Sequence, residues 1–286
     1  MGNYHLYLIA YWITRAMPRK MAYAFARALA DCHYFLSKQD RLAVESNLKK
    51  VYKTEDLPSG VVRNVFRNFG RYLADFFTQT KYLDSDFITH HVHLHNIEYI
   101  NDVLSQKKGC IIVSAHLGNW ELAGAVLAKL GYPLSIVALP HQDPKVNQFF
   151  NAQREFFGTT VIPTTTAIRR CLEHLRDNRL LAILAERDFT QHGIPMDFFG
   201  YPTMIPKGAA IFSLRTGAPI IPAFFIRTQN DDYDIELLKP IYPPVLTKAK
   251  YSDSDMVDMM RQYVSIIEQE IRKHPDQWLI FRKFEI

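Results

Sequence analysis

Residues 110–121, Cys-Ile-Ile-Val-Ser-Ala-His-Leu-Gly-Asn-Trp-Glu, decide how this chain folds. Six small or apolar residues lead without a break to His116, and Gly118 follows two positions later. The run is too short for a helix and lacks the polar alternation of a half-exposed strand, so it reads as a strand buried on both faces. Asn119 is a good N-cap, and residues 121–130 carry a helical pattern. The same alternation recurs outward. Residues 134–139 precede a helical stretch at 145–157, residues 180–185 precede a Gly/Pro-rich loop, and a helical 208–215 precedes 218–226. Continuous apolar strands separated by helices predict an α/β fold, a mostly parallel central sheet with helices on both faces. Residues 233–238 read as a further strand at an edge, and 256–273 as a closing amphipathic helix.

Towards the start of the chain the texture is helical. Residues 21–36 show helical spacing, and 61–82 place Val62, Val65, Phe66, Phe69, Leu73, Phe76 and Phe77 on one face. Arg63, Arg67 and Arg71 repeat on another face, which reads as solvated, the rival being a phosphate-binding ladder. The simplest division is a helical, membrane-associating extension over residues 1–100 and an α/β domain over 101–286, forming one compact unit. Residues 4–17 are too short to span roughly 30 Å of hydrocarbon and are interrupted by His5 and Arg15. They carry Tyr4, Tyr7, Tyr11 and Trp12, then Arg15, Arg19 and Lys20, the layout of an interfacial anchor without a signal-peptide cleavage site. A surface helix packed on the core is the alternative.

Composition narrows the classes. With 48% hydrophobic residues in 286, a sizeable core is available and disorder is excluded. Cys32, Cys110 and Cys171 share no ligand spacing and read as reduced thiols. The net charge of +5 suits anionic headgroups or an acidic carrier protein. No basic patch interleaved with aromatics supports nucleic-acid binding. His91, His93 and His95 alternate, so a strand carries them on one face, with His90 beside them. No cysteine or carboxylate cluster accompanies them, and they read as an exposed strand and not as a metal site.

Open α/β sheets bind ligands beyond the carboxyl ends of their strands, where His116 stands. Gly118 permits a tight turn, and Glu121 in the first helical turn folds back towards the imidazole. Backbone N–H groups at that helix start can hold an oxyanion. A neutral imidazole, of ordinary pKa about 6.5, takes a proton from an alcohol, and a carboxylate on its other nitrogen fixes the tautomer. Ser114 is read as facing the other side of the sheet and as a poor nucleophile. Glu186-Arg187-Asp188 ends the strand 180–185 on the same rim as His116.

The segment HLGNWELAG, residues 116–124, resembles the His-x4-acid signature of glycerolipid-type acyltransferases, in the form carried by late lipid A acyltransferases and phosphatidylinositol mannoside acyltransferases. LAERDFTQHGIPMDFFGYPTMIPKGAA (184–210), TGAPIIPAFFIR (216–227), HPDQWLIFRKF (274–284) and the early Asn47-Leu48 are similar to further blocks of that family in the expected order. The resemblance implies transfer of a fatty-acyl chain from an acyl-coenzyme A or acyl carrier protein thioester to a glycolipid hydroxyl. The acceptor would be of the lipid A precursor or phosphatidylinositol mannoside kind. It implies no further cofactor, and a peripheral place on the cytoplasmic face of a bacterial inner membrane. His116 becomes the general base. Glu-Arg-Asp tilts the chain towards the mannoside branch, where the triplet's glutamate pairs with the motif histidine, so Glu186 is the expected partner. Glu121 is then a second acid, and the reverse assignment stays open. Arg154 matches a family arginine that binds an anionic headgroup or carrier phosphate, the alternative being an ion pair. Arg187 and Asp188 carry the same two readings. Gly118, Asn119 and Trp120 are expected to line the substrate site, and Lys207 to hold a phosphate at a helix start. Two rivals remain: an acyl-thioester hydrolase, with water replacing the acceptor, and a non-catalytic lipid-binding protein, which would not need His116, Glu121 and Glu186.

Overall fold

The computed structural model describes residues 4–188, 192–245 and 251–284. Four helices open the chain: α1 (Tyr4–Ala16), α2 (Arg19–Leu36), α3 (Lys38–Tyr52) and α4 (Val61–Tyr82). The short α5 (Ser85–His91), β1 (Val92–His95) and α6 (Glu98–Ser105) follow. Then come β2 (Cys110–Ser114), α7 (Trp120–Lys129), β3 (Leu134–Ala138), α8 (Pro144–Glu155), β4 (Thr160–Pro163), α9 (Ala167–Arg176) and β5 (Leu180–Leu184). A hairpin, β6 (Ile194–Phe198) and β7 (Tyr201–Ile205), precedes α10 (Gly208–Thr216), β8 (Ile220–Arg227), β9 (Tyr233–Leu237) and α11 (Asp253–Lys273).

Seven strands form one sheet in the order β1-β9-β8-β2-β5-β3-β4, parallel except where β9 meets β8. The expected α/β architecture is therefore present. β2 shows why its sequence is apolar throughout: Cys110 and Ile112 pack under α5, α6 and α7, while Ile111 and Val113 pack under α9, α10 and α11. Three expectations are corrected. β9 is not an edge strand, because β1 covers it, and β1 carries the sheet into the first hundred residues. Only His93 and His95 share the β1 face; His91 ends α5, and its ring bonds Asp232 at 2.6 Å. Among the described residues no cluster suited to a metal ion occurs.

The third correction concerns α4. Arg63 and Arg67 both grip the Asp31 carboxylate of α2, at 2.7–2.9 Å, and Arg71 bonds Asp231 at 2.8 Å. The solvated reading holds in part, since the Arg63 and Arg67 side chains are 37% and 35% exposed, but all three charges are engaged by carboxylates and do not stand open as a phosphate ladder would. The stripe bolts α4 to α2 and to the turn before β9. The two helices also approach closely, because a Cβ on Gly70 would lie 2.7 Å from the Ala26 carbonyl oxygen. Hence α2 turns Ala22, Ala26 and Ala30 inward, with Tyr23 beside them, and leaves Met21, Leu29, Phe35 and Leu36 exposed.

Candidate active site

The site begins with the turn that follows β2. Gly118 has φ +67°, and a Cβ there would come within 2.0 Å of the Phe225 carbonyl oxygen, so only glycine fits. The Gly118 amide donates to Gln277 O at 2.9 Å and the Asn119 amide to Phe225 O at 2.8 Å. Leu279 N donates to His116 O at 2.8 Å, which clamps the turn between β8 and the C-terminal segment. Asn47 holds that segment in turn, donating to the carbonyls of Ile280 and Arg282. The sequence blocks that resemble the family thus meet around one loop.

His116 stands at the rim with its Nδ1 2.6 Å from Glu186 Oε1, and its backbone N–H donates to the same oxygen at 2.9 Å. Glu186 is 1% exposed. Burial alone would raise its carboxyl, but the adjacent His116 imidazole and the donated hydrogen bonds outweigh it and hold the group below its ordinary value. Glu186 is therefore an ionised acceptor. Its Oε2 has no donor among the described residues.

Glu121 points elsewhere. Arg154 clasps it with three contacts at 2.6–3.1 Å, both side chains being mostly buried. Burial lowers the Arg154 guanidinium, and the Glu121 carboxylate more than reverses this, leaving it above its ordinary value. A guanidinium committed to Glu121 is the ion-pair arrangement foreseen as the alternative for Arg154. Trp120 stacks on Tyr72 at 4.4 Å and turns its ring edgewise to His116 at 4.9 Å. Asn119 is 1% exposed and caps α7, its Oδ1 accepting from Leu122 N at 3.1 Å. Neither Gly118 nor Asn119 belongs to the cavity wall. They build the turn from inside.

A cavity of about 720 Å³ opens beside His116. Its floor is the sheet face under α7, with Ile112, Leu134, Ile136, Ala182, Phe225 and Leu237. Its polar lining includes His116, Glu121, Arg154, Arg187, Asp188 and Lys207. Asp188 accepts from Gly193 N at 2.5 Å, just ahead of the hairpin; residues 189–191 of that block lie outside the described residues. Arg187 is lowered by burial and then by neighbouring Arg282. Ser114 lines this same cavity, which corrects its placement, because residues two apart on a strand share a face.

Sequence reading missed His141, Tyr72 and Asp75. His141 lines the cavity against Phe150, and burial followed by Arg154 lowers its imidazole. The sequence signal for Asp75 was its place four residues after Arg71, an acid that ends the row of arginines on α4.

The model of the bacterial lipid A biosynthesis acyltransferase family matches residues 1–284. A phosphatidylinositol mannoside acyltransferase of Mycolicibacterium smegmatis is 26% identical over 278 residues, 95% of this chain and 88% of that protein. Another from Mycobacterium tuberculosis is 33% identical over 130 residues, 44% of this chain and 41% of that protein. A lipid A biosynthesis acyltransferase of Haemophilus influenzae is 25% identical over 144 residues, 49% of this chain and 45% of that protein.

Proposed function

We infer what this site does from one premise: the chain belongs to the bacterial lipid A biosynthesis acyltransferase family and is an O-acyltransferase. The reaction we propose moves a fatty-acyl chain from a coenzyme A or acyl carrier protein thioester to a hydroxyl of a glycolipid, of the phosphatidylinositol mannoside or lipid A class. The observation that carries it is the His116–Glu186 pair, whose imidazole lines a large apolar cavity. With Nδ1–H donated to Glu186, His116 Nε2 takes the proton of the acceptor hydroxyl. The oxygen attacks the thioester carbonyl, the C–S bond breaks, and the imidazolium returns the proton to the leaving thiolate. The acyl chain lies in the cavity, whose volume falls within the roughly 300–1,000 Å³ of small-molecule sites. The first amides of α7, those of Trp120 and Glu121, would serve as donors to the developing oxyanion. Lys207 and Arg187 face the phosphates of donor or acceptor.

The test is product identity. Purified enzyme with palmitoyl-coenzyme A or palmitoyl-acyl carrier protein is to yield acylated glycolipid by mass spectrometry in the presence of phosphatidylinositol mannosides or lipid A precursors. Thioester cleavage that proceeds equally fast without any acceptor would instead make the protein a hydrolase.

We also propose that α1 and α2 dock the enzyme peripherally on the cytoplasmic face of the membrane. Among the described residues no helix is long and apolar enough to cross a membrane. α1 packs Tyr4, Tyr7 and Tyr11 on α4 and α8 and leaves Leu6, Ile9 and Trp12 exposed. α2 likewise leaves Met21, Leu29, Phe35 and Leu36 exposed. Arg19 is removed from the expected cationic cluster. It donates to Asp231 O and Tyr23, and lies over the rings of Tyr82, Phe87 and Tyr233. Lys20 stays exposed. The apolar share should dominate: Trp12→Glu with Leu29→Glu is expected to abolish co-sedimentation with anionic liposomes, while high salt weakens the parent protein's binding only in part. Undiminished binding by the double variant would refute this docking face.

A further inference from the structure

Asp75 plays no part in the chemistry just described, yet it is fully buried in the middle of α4. Its Oδ1 accepts from the hydroxyls of Tyr23 and Tyr82, and its Oδ2 from Tyr233, Arg227 and the Asn119 side-chain amide, the last at 2.8 Å. These donors come from α2, α4, β9, β8 and the turn before α7. Burial opposes ionisation, but the guanidiniums of Arg227 and Arg19 prevail and hold the Asp75 carboxyl below its ordinary value. Buried ion pairs are weak evidence for stability, since apolar side chains of equal volume often serve as well. The bond to Asn119 supplies a more specific reason.

The Asn119 amide has one orientation that works. Its Oδ1 caps α7 at Leu122 N, so its Nδ2 must face the other way. A carboxylate is acceptor-only, and Asp75 therefore selects that orientation and rejects the flipped one. The first turn of α7 then starts where Asn119 puts it. That turn carries Trp120, edgewise on His116, and Glu121, clasped by Arg154. We propose that Asp75 is a positioning residue of the active site: acting through Asn119, it fixes the start of α7 and hence the packing of Trp120 and Glu121 around His116. This rests on the reading of His116 as the reacting base.

The experiment uses the full chain, with release of coenzyme A from palmitoyl-coenzyme A onto phosphatidylinositol mannoside vesicles as the readout. Asn119→Ser keeps a capping oxygen and drops the donor to Asp75. It is expected to lower kcat by about tenfold to hundredfold, the range of a small misplacement, at unchanged KM for the thioester. Asp75→Asn should lose a similar factor. The two together should lose no more than the worse single variant, because both break one link. Tyr23→Phe, which removes a donor from the other oxygen, should lower the thermal midpoint and leave kcat near the parent value. Wild-type kcat in Asn119→Ser, multiplicative losses in the double variant, or a Tyr23→Phe loss equal to that of Asp75→Asn would each overturn the proposal. If Asp75→Asn does not fold, the Asn119→Ser and Tyr23→Phe results still decide. His116→Ala run alongside separates the two failures: turnover there would sink the chemical reading itself, whereas an inactive His116→Ala with a fully active Asn119→Ser would sink this inference alone.

Discussion

His116→Ala is expected to lower acyl transfer by about 10²–10⁴-fold, the usual loss when a positioned general base is removed. The fold should survive, because the backbone groups of residue 116 make their bonds without the side chain: His116 O still accepts from Leu279 N, and the amide still donates to Glu186. What the variant leaves behind is a buried carboxylate missing its ring partner, so the thermal midpoint should fall as well. Single-turnover rates therefore belong at a temperature where circular dichroism shows both proteins folded. Binding of the thioester to the apolar cavity should persist, since the residues of its floor are untouched. Loss of kcat with little change in KM is the signature of an interaction realised in the transition state. A variant that keeps half the parent rate removes His116 from the mechanism.

How much of this was legible in the sequence depended on distance along the chain. The strand at 110–114 announced itself through composition, and the cap at Asn119 through its residue type, because both are local. Which acid meets His116 was not local. Ser114 pairs with Leu184 in the parallel register of β2 and β5, so residues 116 and 186, two positions further on each chain, arrive side by side. Sequence alone offers no reason why β5, and not β3, should neighbour β2 on that side. The arginines of α4 show the same limit. Their periodicity was plain, but Asp31 and Asp231, which engage them, lie on other elements. The β6–β7 hairpin hid behind Pro195 and Pro202, which read as loop; a two-stranded ribbon leaves room for proline that a central strand would not. Asp75 could be seen as an odd acid, though not as the meeting point of five elements. Ser114 was misplaced by a simple slip in strand periodicity, and the cavity wall restores it.

Glu186→Gln is the sharper probe of the pair, because it changes charge and leaves shape alone. The amide oxygen can take the place of Oε1 and accept from the His116 backbone N–H, as now at 2.9 Å. The amide nitrogen then occupies the position of Oε2, which faces no donor among the described residues, so no like-with-like clash arises. The fold should hold. The chemistry should not. A neutral amide no longer stabilises the imidazolium that forms as the acceptor loses its proton, and it no longer compels Nδ1 to carry the hydrogen. We expect turnover to fall by about 10²–10⁴-fold, in the range of related histidine–carboxylate pairs. The sign of the pH effect follows from charge. The Glu186 carboxyl is held below its ordinary value, so its anionic contribution is present at neutral pH and is lost as pH falls through that lowered value. An amide has no such proton to take up, so the part of the acidic limb of the pH–rate profile that comes from protonating Glu186 should vanish in Glu186→Gln while the plateau drops. Glu121→Gln should behave otherwise, loosening Arg154 and the cavity wall it lines, with the acidic limb in place. The decisive measurement is kcat against pH for both variants. An unchanged rate and profile in Glu186→Gln, together with a shifted limb in Glu121→Gln, would transfer the pairing role to Glu121.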